Sequence, residues 1–264
     1  MAGPVVLTFD LDGWRAFGDF EKLEQDVLLQ EGIPRIIEFL ERKNLDATFF
    51  VVGQNLRDFP RLHLRLASYE IGNHTLTHPP DLNRKSPRQK RHEISVTHEL
   101  IGDLFRIEPR IFRAPHYMTD RETIRILKEM GYAADSSLLR VLFPFNYAFN
   151  YLRNRHLARD EFEIPLTSYV LPFNGTAAVN YRMPLTRMIF KRLCRKGQPL
   201  VLNFHAKDFV NIKLKRWRLR NRERSLPVTL EFLELITSSC PVLSIREYLQ
   251  HRKRDGQTGT DQPG

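Results

Sequence analysis

Residues 5–14 read VVLTFDLDGW, an oily run that finishes on two aspartates. Five of its first six residues are apolar or β-branched, the composition of a buried strand. Side chains two apart on a strand share a side, so Asp10 and Asp12 project together where the strand becomes a loop. Two carboxylates that close need a cation or an arginine to hold them. Read alone, Asp12-Gly13 also suits an ordinary turn. No glycine-rich phosphate loop follows, which weighs against a doubly wound nucleotide-binding sheet.

Outward from this stretch, helix-like and strand-like segments alternate. IPRIIEFLERKN (33–44) precedes ATFFVVG (47–53), and YEIGNH (69–74) precedes PRQKRHEISVTHELIGDLF (87–105). RIFRAPHY (110–117), TDRETIRILKEMG (119–131) and YAADSS (132–137) read as strand, helix and strand. EFEIPLTSYV (161–170) is a further strand candidate, PLTRMIFKRLCRKG (184–197) a helix and PLVLNFH (199–205) a buried strand. PVTLEFLELITSS (227–239) and PVLSIREYLQ (241–250) close the pattern. Alternation of this kind builds right-handed βαβ units, and seven or eight strands suit a single (β/α)7–8 barrel over residues 1–250 better than the alternative, a doubly wound open sheet. HRKRDGQTGTDQPG (251–264) lacks an apolar pattern and is expected to be a disordered basic and polar tail.

The 264 residues are 42% hydrophobic and 27% charged, ordinary values for a globular protein. No apolar run is long enough to span a bilayer, and no secretory h-region precedes the first strand. Cys194 and Cys240 form no framework and no metal-like pair. A cytoplasmic protein is the expectation. The 41 basic and 31 acidic residues give a formal charge of +10, which favours anionic partners.

In a parallel barrel, chemistry collects where strands end. The polar residues expected there are Asp10 and Asp12, His74 and His78 in GNHTLTH, Arg113 in FRAPHY, Asp135 in DSS and His205 in LNFH. The four-residue spacing of His74 and His78 brings two imidazoles to one side of a helical turn, and two histidines with one carboxylate make a catalytic zinc set with an open position. Arg113 needs an anion, which Asp10 or Asp135 would supply. Each motif alone has a bland reading: a surface histidine pair, a strand-end arginine, a hydrogen-bonded core histidine, a turn aspartate.

Taken in order, these motifs resemble the polysaccharide deacetylases, the NodB-homology group of carbohydrate esterases (family 4), from TFDLDG to about LSIREY. The resemblance implies a deformed (β/α) barrel and an N-deacetylase acting on an amino sugar with a divalent metal. It implies Asp12, His74 and His78 as metal ligands, Asp10 as general base and His205 as general acid. Arg113 would then tune Asp10, and Asp135 would tune His205. His116, through its backbone N–H, Tyr117 and Leu138 would meet the substrate. Zinc is the default metal for such a set, with manganese or cobalt as alternatives. The chain departs from the commoner pattern in three places: Leu11 separates the aspartates, His116 follows R-A-P, and Leu138 and Leu139 stand where an aromatic is usual.

KLKRWRLRNRER (213–224) combines basic residues with Trp217 directly after the His205 strand. It suits a phosphorylated or lipid-linked sugar at the inner face of the cytoplasmic membrane. No nucleic-acid motif accompanies the charge, and nucleic acid is not expected as a partner. The substrate class expected is thus an acetylated or formylated amino sugar of a cell-envelope polysaccharide or its lipid-linked precursor. The competing reading is a catalytically inactive barrel that binds anionic glycan, lipid or nucleic acid through 213–224.

Overall fold

The strand read from VVLTFDL forms as β1 (Val5–Leu11), and every residue of it is buried. The computed structural model describes residues 3–12, 28–141, 145–169, 172–181, 183–211 and 225–258. The basic stretch 213–224, with Trp217, lies outside the described residues. Around β1 lie β2 (Thr48–Val51), β3 (Glu70–Asn73), β4 (Ile111–Phe112), β5 (Ala134–Asp135), β6 (Leu200–His205) and β7 (Val242–Leu243). All pairings are parallel, in the order β5-β4-β3-β2-β1-β6, and β7 joins the start of β1 at Val5 and Val6.

The helices among the described residues are α1 (Ile33–Lys43), α2 (Gly53–Asp58), α3 (Leu62–Leu66), α4 (Pro87–Phe105) and α5 (Arg121–Glu129). They continue as α6 (Phe145–Asn154), α7 (Gly175–Tyr181), α8 (Met183–Cys194), α9 (Ser225–Ser239) and α10 (Ile245–Thr258). Local chemistry fixes their starts. Ser86 and Gln89 form a capping box ahead of Pro87, and the Asp120 carboxylate accepts from Thr123 N–H at the head of α5. No helix among the described residues is long and apolar enough to cross a membrane.

The strand alternation sorts side chains into two compartments. Val5, Leu7, Phe9 and Leu11 face the helical layer, where Phe9 stacks on Phe49 with centroids 5.0 Å apart. Val6 faces inward with Phe50, Ile111, Ala134, Ile164, Val201 and Ile245. Thr8 and Asp10 continue that inner face, so the interior changes from apolar to polar along β1. The sheet curls until its two edges meet one irregular segment. Ile164 N–H donates to Asp135 O on β5, and Thr167 N–H donates to Val201 O on β6. Of the stretch 161–170, expected as a strand, the described residues carry isolated bridges on the β5 side, Glu163 to Asp135 and Leu166 to Leu139, and reach β6 through Thr167. Pro165 between those bridges has no N–H to donate to a ladder. Helix α10 also runs to Thr258, into the stretch expected to be a disordered tail.

Gly72 on β3 pairs with Phe50 on β2, and a Cβ at Gly72 would lie 2.6 Å from the Phe50 ring. That ring is fully buried and lies under the Arg113 guanidinium at 4.1 Å, so it has no direction in which to yield. Gly72→Ala is expected to destabilise the fold by about 1–3 kcal/mol, the usual cost of overpacking. Thermal unfolding checks this, and an unchanged melting temperature would show that Phe50 can move.

Candidate metal centre and catalytic site

Asp12 lies one residue beyond β1 and is buried, as are His74 and His78 beyond β3. Asp12 Oδ1 lies 3.2 Å from His74 Nε2 and 3.3 Å from His78 Nε2. The three ligand atoms fall within 4.8 Å of one another. His74 Nδ1 donates to the Arg113 carbonyl at 2.7 Å, which in the neutral tautomer leaves Nε2 as a lone pair aimed at Asp12. Asp12 Oδ1 is buried without a hydrogen-bond donor. A buried carboxylate oxygen facing two imidazole nitrogens is an arrangement a divalent cation satisfies, so these residues fit such an ion.

The histidines do not sit on a helical turn. Residues 74–78 form a non-helical loop in which Thr75 and His78 take positive φ values of 66° and 56°. Such backbone persists only where its surroundings determine it. The Glu93 carboxylate on α4 supplies that constraint, accepting from Leu76 N–H, Thr77 N–H and the Thr77 hydroxyl. Asn73 adds a fourth tie by accepting from Thr75 N–H at 2.8 Å.

Asp10 is held differently from its neighbour. Its Oδ1 accepts from Arg113 Nη1 at 2.6 Å and its Oδ2 from Asn203 Nδ2 at 3.0 Å. Burial opposes ionisation of Asp10, but the Arg113 guanidinium overrides it and lowers the carboxyl below its ordinary value. Burial also opposes ionisation of Asp12, and His78 and His74, when protonated and donating through Nε2, hold it well below the usual carboxylate range. His205 ends β6 with Nε2 3.5 Å from Asp12 Oδ2 and 3.8 Å from Asp10 Oδ2. Five expected residues therefore converge: Asp10, Asp12, His74, His78 and His205, with Arg113 beneath them.

The expected pairing of Asp135 with His205 is not the one the structure makes. The carboxylate beside His205 is Asp208, whose Oδ2 lies 3.6 Å from Nδ1 and accepts the His205 backbone N–H at 2.9 Å. One turn of 3₁₀ helix, Ala206–Phe209, brings Asp208 back onto His205. Asp135 instead accepts from the Ser137 and Thr119 hydroxyls and pairs across a parallel bridge with Glu163.

Tyr117 contacts Asn203 through its hydroxyl, and the His116 ring lies 5.1 Å from that of His78. Burial and the neighbouring His78 lower His116 to about 4, so its imidazole is neutral at pH 7. Leu138 is fully buried and donates its N–H to Glu163. Sequence reading missed Glu93, Asn203, Asp208 and Glu163. Only Asn203 and Asp208 carried a signal, as polar residues two before and three after His205 in NFHAKD.

Residues 2–134 match the family model for polysaccharide deacetylases, and the chain belongs to that family. It is 32% identical over 106 residues to a peptidoglycan-N-acetylglucosamine deacetylase of Bacillus cereus, a match covering 38% of each chain. That match spans well under half of the relative's length. Among solved structures, a Mycobacterium smegmatis protein assigned by name to the polysaccharide deacetylases superposes with a TM-score of 0.70 at 20% identity, covering 97% of this chain and 91% of its own. A Bacillus anthracis pseudoenzyme of carbohydrate esterase family 4 superposes at 0.54 with 18% identity, covering 93% and 65%.

Asp135 and Glu163 yield a pH prediction. Burial pushes Asp135 up to about 6, and burial with the Asp135 charge drives Glu163 well above its ordinary value. The folded state thus holds protons that the unfolded state has released, and stability from this pair falls as pH rises from about 4 through the raised values. Glu163→Gln supplies the neutral form permanently. Its melting temperature relative to the parent should rise with pH across that window, by at most about 1.4 kcal/mol of stability per pH unit. A difference independent of pH would show that Glu163 carries no extra proton.

Proposed function

We propose that the chain is a metal-dependent N-deacetylase that hydrolyses the N-acetyl or N-formyl amide of an amino sugar in a cell-envelope polysaccharide or its lipid-linked precursor. The observation that carries this reading is the convergence of Asp12, His74 and His78 with an arginine-held carboxylate and a carboxylate-backed imidazole on either side. Asp12, His74 and His78 would hold the cation, with zinc the first choice for a two-histidine, one-carboxylate set. When bound, such a cation makes water more acidic and polarises an acyl oxygen.

Asp10 is ionised at neutral pH and accepts the proton that water loses as it adds to the amide carbon. His205 donates a proton to the departing nitrogen as the carbon–nitrogen bond breaks, since an amine cannot leave as its anion. The products are the free amine and acetate or formate. The backbone N–H of His116, whose ring lies 5.1 Å from that of His78, is the group that would receive the oxyanion. The competing reading is an inactive barrel that binds an anionic ligand, and for inactivity alone this fold has a precedent in the B. anthracis pseudoenzyme. The complete set of base, ligands and acid favours the enzyme.

His78→Ala is expected to lose bound metal and nearly all deacetylation of acetylated glucosamine oligomers, while Asp10→Asn keeps the metal and loses roughly 10²–10⁴-fold in kcat. Metal analysis alongside acetate release reads both. Turnover of these amides by neither the metal-loaded parent nor its variants would leave the binding protein as the better reading.

Asp208 and Asp135 give a second test, because of these two it is Asp208 that lies against His205. Asp208→Asn should lower kcat by about 10–100-fold, the usual cost of losing an orienting partner. The loss should shrink on 4-nitrophenyl acetate, whose phenolate departs without protonation. An equal loss on both substrates would mean that Asp208 supports the fold and not the acid.

A further inference from the structure

Helix α6 is turned inside out. Its buried positions are Ala148, Asn150 and Asn154, and the two asparagines donate to the carbonyls of Tyr117 and Thr119 at 2.9 and 3.0 Å. Its outer face carries Phe145, Phe149 and Leu152, which are 66%, 69% and 57% exposed. Spacings of four and three residues put these side chains on one stripe. A soluble helix normally buries such a stripe, so a polar inner face with an apolar outer one points to a second apolar phase outside the protein.

The surroundings define that phase. Arg140, Arg155 and Lys196 line the groove on one side of Phe149 together with Leu152, and Arg84 and Arg153 line the cleft on its other side with Asp81, which pairs with Lys85 at 3.6 Å. None of these five is ion-paired among the described residues. Apolar side chains rimmed by five unpaired cations against one carboxylate match an anionic lipid surface, where the rings enter the acyl boundary and the arginines meet phosphates. A second copy of this chain fits poorly, because a twofold contact would press the same basic rim against itself.

The face also lies beside the catalytic centre. Tyr147 on α6 packs edge-on against Tyr117 at 5.8 Å, and Tyr117 touches Asn203, which holds Asp10. We infer that the Phe149–Leu152 face of α6, with its arginine rim, docks the protein on anionic bilayers and sets the site mouth at headgroup level. This goes beyond the proposed reaction and does not depend on it.

Co-sedimentation with phosphatidylcholine vesicles, with and without phosphatidylglycerol, tests the surface. The parent should bind the phosphatidylglycerol vesicles, fail to bind phosphatidylcholine alone, and release in high salt. Phe149→Ser with Leu152→Ser should weaken partitioning by roughly tenfold or more, since lost apolar insertion and screened charge each weaken interfacial binding. Arg153→Gln with Arg155→Gln should also weaken it and lessen its dependence on salt. Circular dichroism melts, unchanged for exposed positions, establish that the variants fold. Absence of binding by the parent, or parent-level binding by the Phe149/Leu152 variant, overturns the inference. So does a parent dimer in light scattering that the same variant dissolves without any vesicle effect.

Discussion

The ion pair between Arg113 and Asp10, 2.6 Å long and closed to solvent, ties the interior of the barrel to its chemistry. A buried pair is tolerable only where the remaining polar groups are hydrogen-bonded, and each nitrogen of Arg113 has a partner. Nε donates to Ser136 O, Nη2 to the Ser136 hydroxyl, Nη1 also to Thr8, and the guanidinium lies on the Phe50 ring. Its own carbonyl fixes the His74 ring. One residue at the end of β4 thereby reaches β1, β2, the chain after β3 and the chain after β5. Losing it would strand a buried carboxylate and release a metal-ligand candidate together.

The same interior separates two aspartates that the sequence presents as near twins. Asp10 is saturated by Arg113 and Asn203, whereas Asp12 Oδ1 has no donor and faces two imidazoles. Different surroundings thus give one carboxylate the part of a proton acceptor and leave the other for a cation. The pleat of β1 sends both inward, and the partners then decide what each can do.

The strand-end residues were legible because each closes an apolar run: Asp10 and Asp12 after VVLTF, Arg113 after IF, His205 after LVLNF. Period-two alternation also identified the shared side of Asp10 and Asp12. The conformation around His74 and His78 was not legible, since a spacing of four fits a helix equally well and the ties to Glu93 span a long loop. The assignment of Asp135 to His205 came from the resemblance, and the 3₁₀ turn that supplies Asp208 leaves a trace only in local spacing. Glu163 was hidden for another reason. An acid between Phe162 and Ile164 reads as a solvent-facing residue of a strand, yet the segment bends to bury it. The α6 face escaped notice because its apolar residues look like core until their direction is known.

The curled sheet has a seam at residues 163–167 that differs in kind from the rest of its perimeter. Between β1 and its neighbours β2 and β6, and between β2 and β3, strands are joined by repeated backbone ladders, which any residue with an N–H and suitable shape can maintain. At the seam single backbone bonds are supplemented by side chains. The Thr167 hydroxyl accepts from Val201 N–H, and Glu163 accepts from Ser137 and Leu138. Closure there is written in residue identity, whereas the ladders are written in backbone. Across related sequences, tolerance to substitution should accordingly be lower at this irregular stretch than in the regular strands, the reverse of what its lack of secondary structure suggests.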